Sequence, residues 1–185
     1  AMFGTYQIAA NGVAQSIWSL AALIGSAMGP VFITVIGQCM GAKDVDQAKF
    51  YFSKLIKWSL VFSIVWNVLV LAMTPFILQF YNLANETKHL IIILVIIHNI
   101  ANTVVFPLSG PLSQGLRATG DVKFTMIVSI ASTVGGRLVL SIILALKLNL
   151  GVIGIALAMC GDWTIRAIIF YYRYKSNAWT KFEVI

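Results

Sequence analysis

Gly37-Gln38-Cys39-Met40-Gly41-Ala42-Lys43-Asp44-Val45-Asp46-Gln47-Ala48-Lys49 is where this chain first meets water. The forty-two residues ahead of Lys43 contain no Asp, Glu, Lys or Arg, enough for two membrane crossings at about 20 apolar residues each. Six charges then arrive within fifteen residues: Lys43, Asp44, Asp46, Lys49, Lys54 and Lys57. Apolar helices end here and a basic surface turn begins.

The bulk composition agrees. The chain has 185 residues, of which 59% are hydrophobic and 10% charged, with a mean hydropathy of +0.90; soluble domains carry roughly 25% charged residues. The expected fold is an all-α integral membrane bundle whose first partner is the lipid bilayer. The net charge of +7 does not point to nucleic acid, because the basic residues form short clusters between apolar spans and no continuous stripe. Cys39 and Cys160 each lie in an apolar setting without a second thiol or metal-ligand spacing. They read as small core residues, and neither a disulfide framework nor a metal site is expected.

Six spans are expected, over residues 1–21, 23–42, 53–80, 87–118, 122–146 and 151–174. The opening Ala1-Met2-Phe3-Gly4 has no basic flank, so the true start is expected to lie upstream. No polar loop separates the first two spans, which demands a tight reversal near residue 22. Gly12, Ala14, Ala21, Ala22, Gly25 and Gly29 would let the two backbones approach. Pro75 predicts a kink in the third span, and Pro107, Gly110, Pro111 and Gly115 predict a bent or unwound second half of the fourth.

Basic residues set the orientation, because cytoplasmic loops are enriched in Lys and Arg. Lys43, Lys49, Lys54, Lys57, Arg117, Lys123, Arg173, Lys175 and Lys181 fall at one set of ends, against Lys88 and Lys147 at the other. Nine against two places the first set in the cytoplasm, and with six spans both chain ends as well. Arg137, Asp162 and Arg166 remain at membrane depth.

Polar groups inside spans are costly and mark candidate sites. Ser59, Ser63, Asn67 and Thr74 share one face of the third span by spacing. His98, Asn102, Ser109 and Ser113 would share a face of the fourth if it were straight, and Ser129, Thr133 and Arg137 share one of the fifth. Three stripes imply a shared interior. Interhelical hydrogen bonding is the plainer reading for the serines and threonines. For His98, Asn99 and Asn102 a cavity role weighs equally, because an imidazole can bind or move protons near neutral pH; Asn67 and Ser109 complete the cavity candidates. Asp162 and Arg166, four residues apart, are spaced to pair, and Arg137 is a second possible partner for Asp162. These three charges read as structural or gating elements. Gly37 and Gly41 share a helix side that permits close contact, Gln38 is placed to bond a neighbouring backbone, and Asp44 and Asp46 favour the dipole of the next helix.

Three motifs together resemble the multidrug and toxic compound extrusion (MATE) family. They are Gly37-Gln38-x-x-Gly41-Ala42-x-Asp44-x-x-x-Ala48 after a span, Leu116-Arg117-Ala118-Thr119-Gly120-Asp121 between spans, and Asp162-Trp163-x-x-Arg166 ahead of Arg173-Tyr174-x-x-x-x-Trp179. The resemblance implies one six-helix lobe of a two-lobed, twelve-helix antiporter. The closing pattern implies the C-terminal lobe, helices seven to twelve with the seventh truncated, so that the N-terminal lobe of the same polypeptide is a missing partner. It implies export of an organic, cationic drug or metabolite in exchange for Na+ or H+, with no other cofactor. Some members carry acidic residues in the seventh and tenth helices, whereas the fourth span here has none between Glu86 and Asp121.

Other classes compete. A lipid-linked saccharide flippase of the same superfamily would be expected to carry more cationic cavity residues than two arginines. A hydrolase would have to pair His98 with Ser109 or Ser113, and no Gly-x-Ser-x-Gly or His-Glu-x-x-His motif accompanies them. No catalytic residue is therefore assigned. A membrane scaffold would lack a hydrated cavity.

Overall fold

The computed structural model describes residues 4–182. Seven helices follow one another: α1 (Thr5–Ala21), α2 (Leu23–Gly41), α3 (Val45–Gln79), α4 (Asn85–Ser109), α5 (Pro111–Ala118), α6 (Val122–Lys147) and α7 (Gly151–Lys175). A short 3-10 turn, Ala178–Lys181, closes the described chain.

The reversal expected near residue 22 is absent. Ala22 is right-handed (φ −78°, ψ −8°), its N–H bonds the Trp18 carbonyl, and its own carbonyl accepts from Ser26. One residue in this conformation bends a helix and cannot turn it back. Neighbours on both sides confirm the continuity. Antiparallel α3 meets α1 through Trp66 at the Leu20 carbonyl and meets α2 through Phe52 beside Phe32. Running parallel, α4 and α5 place His98 by Trp18, Phe106 by Gly25 and Gln114 by Gly29. So α1 and α2 are two halves of one bent rod. The run Ala21-Ala22-Leu23-Ile24 contains no turn former, and the small residues read as a contact between two neighbours instead admit side chains of α4 and α5.

Five membrane-length units result: the rod, α3, α4 with α5, α6 and α7. Among the described residues the start of α1 and the end of α7 therefore lie at opposite ends of the bundle, where six spans would have put them at the same end. Ala10 belongs to the apolar cluster that holds Leu78, near the end of α3, whereas Tyr174 packs on Phe52, near its start.

Two further boundaries differ from expectation. Helix α3 starts at Val45, not near 53, because Asp44 caps it by accepting the Gln47 N–H at 2.9 Å. Asp46 sits in its first turn, where a negative charge favours the dipole as expected. Lys49, Lys54 and Lys57 are therefore helical. The fourth expected span breaks at Gly110 (φ −89°, ψ −78°), with Pro111 opening α5.

The ends of α2 and α5 share one geometry. Lys43 (φ 59°) and Gly120 (φ 92°) are left-handed; Asp44 N–H reaches Cys39 O and Asp121 N–H reaches Leu116 O. Both are Schellman caps followed by an aspartate. The two sequence motifs thus write the same turn twice.

Packing is organised around α4, which contacts α1, α3 and α7, while α5 packs on α2 and α6 leans on α7. One apolar cluster joins Ala10, Ile17, Leu78, Ile91 and Val152; another, nearer the Gly41 end, joins Phe32, Phe52, Leu116, Phe170 and Trp179. The polar layer lies between them. Helix α6 is wound more widely than an α-helix, with backbone bonds spanning five residues, over Ser132–Leu138 and Ile142–Lys147. Thr125 and Ser132 face the interior, and the expected stripe fails at Thr133, which is exposed.

Candidate functional site

The mid-depth layer is built by α1, α3, α4, α6 and α7. On α3 the expected stripe is correct: Ser59, Ser63, Asn67 and Thr74 are all buried. Asn67 donates to the Ser63 carbonyl at 2.8 Å and to the Ala21 carbonyl at 3.5 Å, and Trp66 donates to the Leu20 carbonyl at 2.7 Å. These side chains satisfy carbonyls at the bend of the rod. The first role of Asn67 is therefore to hold that bend.

On α4, His98, Asn99, Asn102 and Ser109 are buried. The expected support of His98 by Asn99 or Asn102 is not found, and neither ring nitrogen of His98 has a partner. Both amide atoms of Asn102 and the indole nitrogen of Trp18 are likewise buried and unpaired. His98 faces Trp18 at 6.5 Å between ring centroids. Five unpaired polar atoms on three neighbouring side chains at membrane depth call for water or a polar ligand, because each would otherwise cost about 1–3 kcal/mol. Asn99 and Asn67 open together on a depression of about 250 Å³ between α3 and α4, with Ile96, Ile100 and Thr103.

Ser109 stands apart from this cluster. Its hydroxyl donates to the Phe106 carbonyl at 3.2 Å, and that of Ser113 to the Gly110 carbonyl at 2.6 Å. Neither serine is hydrogen-bonded to His98, so the nucleophile and base pairing that a hydrolase needs is not formed.

Sequence reading missed the aromatic wall. Trp18 stacks on Trp163 at 5.6 Å, and Phe106 meets Trp163 at 5.4 Å. The available signal was two tryptophans well inside spans, away from the interfaces where membrane tryptophans concentrate.

The membrane-depth charges settle one open pairing. Asp162 is fully buried; it accepts from Arg166 at 2.6 Å and from the Ser132 hydroxyl. Arg137 does not reach it. Its guanidinium instead points at the Met159 sulfur, 2.9 Å away.

At the Gly41 end, Gly37 and Gly41 face open space, with no atom within 4 Å of an added Cβ. The expected helix contact at this signature is not made among the described residues. Tight contacts occur elsewhere: a Cβ on Gly115 would lie 2.6 Å from Phe52 and 2.8 Å from Phe32. Gln38 and Ala42 line a depression of about 350 Å³ with Cys39, Asp44, Gln47 and Tyr51. Arg117 donates to the Thr125 hydroxyl at 3.3 Å. Spacing also gave no hint of Asp121 with Arg173, fifty-two residues apart, joined by bonds of 2.7 and 3.3 Å. Arg173 in turn lies over the Phe124 ring at 4.4 Å. No cluster of metal-ligating side chains occurs among the described residues.

Comparison with known proteins agrees with this architecture. Residues 1–143 match the family MatE. The chain is 26% identical over 183 residues to the uncharacterized transporter YisQ of Bacillus subtilis (strain 168), which covers 97% of this chain and 39% of that protein. It superposes on a MOP superfamily transporter from Pyrococcus furiosus with a TM-score of 0.87 and 18% identity, over 98% of this chain and 40% of that one. The chain thus spans about two fifths of the length of these relatives. Matched over most of its length and folded as a bundle of membrane-length helices, this chain belongs to the MatE family of membrane transporters.

Proposed function

We propose that this chain forms five of the six helices of the C-terminal lobe of a longer secondary antiporter, which exports an organic compound in exchange for Na+ or H+. Alternating access in such transporters comes from lobes rocking about a site near the bilayer midplane, often built on broken helices. The observation that carries the reading is the unpaired layer of His98, Asn102 and Trp18 beside the aromatic wall, halfway along the bundle and next to two interrupted helices. A flat organic cation would find indole faces at Trp18 and Trp163. At that depth it would find no free carboxylate among the described residues, since Asp162 is neutralised by Arg166. The charge that selects the coupling ion would then come from the rest of the polypeptide. The basic ends Lys43–Lys57, Arg117–Lys123 and Arg173–Lys181 would face the cytoplasm of a cell membrane.

Proteoliposomes holding the full-length transporter test this. An imposed Na+ or H+ gradient should drive ethidium against its own gradient, and an ionophore that collapses the ion gradient should stop it. Movement indifferent to both gradients would overturn the antiporter reading.

A further inference from the structure

We infer that Arg137 is a membrane-depth binding point for an anionic group, a carboxylate or phosphate. Arg137 lies ten residues from the Lys147 end of α6 and fifteen from Val122, or at most about 15 and 22 Å at the α-helical rise of 1.5 Å per residue. That is too deep for its side chain to reach either headgroup layer without deforming the bilayer.

Three permanent charges share this depth among the described residues. Asp162 is committed to Arg166 and Ser132, which leaves Arg137 as the uncompensated one. Of its five N–H donors, one points at the Met159 sulfur, a weak acceptor that carries no charge. A guanidinium at this depth is strongly disfavoured without a counter-charge, and its planar fork fits two oxygens of a carboxylate or phosphate.

The surroundings leave room for such a group. Arg137 is only partly buried, and its helix neighbour Gly135 has no atom within 4 Å of an added Cβ. Both lie in the first stretch of wider winding, Ser132–Leu138, a backbone form frequent at functional positions. Met159, where the guanidinium rests, belongs to the cluster of Ala101 and Trp163 against which Trp18 and Phe106 pack. An anion held by Arg137 would therefore border the aromatic wall. It could come from an acidic side chain in the part of the transporter beyond this chain, or from a free anionic compound.

The test uses full-length transporter in nanodiscs, with octyl phosphate, octanoate and octyltrimethylammonium as probes, read by tryptophan emission and by thermal unfolding. If the anion is free, octyl phosphate or octanoate should change the emission saturably and the cation should not. Arg137→Gln should then weaken anion binding by about tenfold or more, and Arg137→Lys, which keeps the charge but not the planar fork, should recover only part of it. If the anion is a protein carboxylate, no probe should bind, Arg137→Gln should lower the unfolding temperature, and Arg137→Lys should restore it. A transporter that binds no anionic probe and unfolds at the same temperature with Arg, Gln or Lys at 137 would overturn the inference. None of these outcomes depends on antiport, so the inference and the proposed function fail separately.

Discussion

Asp121→Asn is the sharpest test of how the Gly41 end of this bundle is held. The Asp121 side chain is 2% exposed and accepts two bonds from Arg173, whose side chain is 25% exposed. Asparagine preserves the shape but removes the charge, leaving a partly buried guanidinium over the Phe124 ring. Breaking a fully buried pair by removing one partner costs about 3–5 kcal/mol. Water reaches Arg173 from one side, which reduces the expected loss to about 2–3 kcal/mol. At about 2–4 °C per kcal/mol for 150–250 residues, the unfolding temperature should fall by about 4–12 °C. A thiol-reactive dye reports the transition in detergent, since Cys39 and Cys160 are free and Cys39 is buried. Arg173→Lys should lose less, because it keeps the charge and one bond. Unfolding of Asp121→Asn at the wild-type temperature would refute the view that this pair ties α7 to the turn between α5 and α6.

Three further outcomes are expected. In a background lacking Cys39 and Cys160, single cysteines at Lys49 and Lys181 should be protected from an impermeant thiol reagent outside intact cells, while cysteines at Asn85 and Gly4 should react; protection at Gly4 would restore the hairpin at residue 22. Gly115→Ala should destabilise by about 1–3 kcal/mol, because its Cβ would lie under 3 Å from two phenylalanines, whereas Gly37→Ala should leave the stability of this lobe unchanged in thermal unfolding. If His98 titrates in a hydrated layer, His98→Gln should flatten the pH dependence of export between about pH 6 and 8 at unchanged protein abundance; an unaltered profile with full activity would leave His98 as packing.

The membrane class, the helical fold and the alternation of basic ends are local properties of the sequence, and they were legible in it. A charge-free run of this length has one stable home, the bilayer interior. The interruption at Gly110 was announced by Pro107, Gly110 and Pro111, whereas the cap at Asp44 was not, the helix having been expected to begin near residue 53. The stripe on α3 and the His98 and Asn102 pair on α4 were legible for the same reason, as regular helices repeat faithfully. The α6 stripe was not, because Ser132 and Thr133 are adjacent and only packing against α7, where Ser132 meets Asp162, decides which of them turns inward.

What happens at residue 22 was decided by tertiary structure. Forty-two uncharged residues suit two short crossings or one long bent rod equally well, and only the unbroken α3 alongside, with Trp66 and Asn67 bonding the carbonyls at the bend, selects the rod. Pairing of charges was settled in the same way. Spacing put Arg166 within reach of Asp162, but the commitment of Arg173 to Asp121 and the isolation of Arg137 depend on where α7 lies against its neighbours. Helix periodicity fixes which residues share a face; which face meets which neighbour follows from packing distant segments together, and that information is not local to any stretch of the chain.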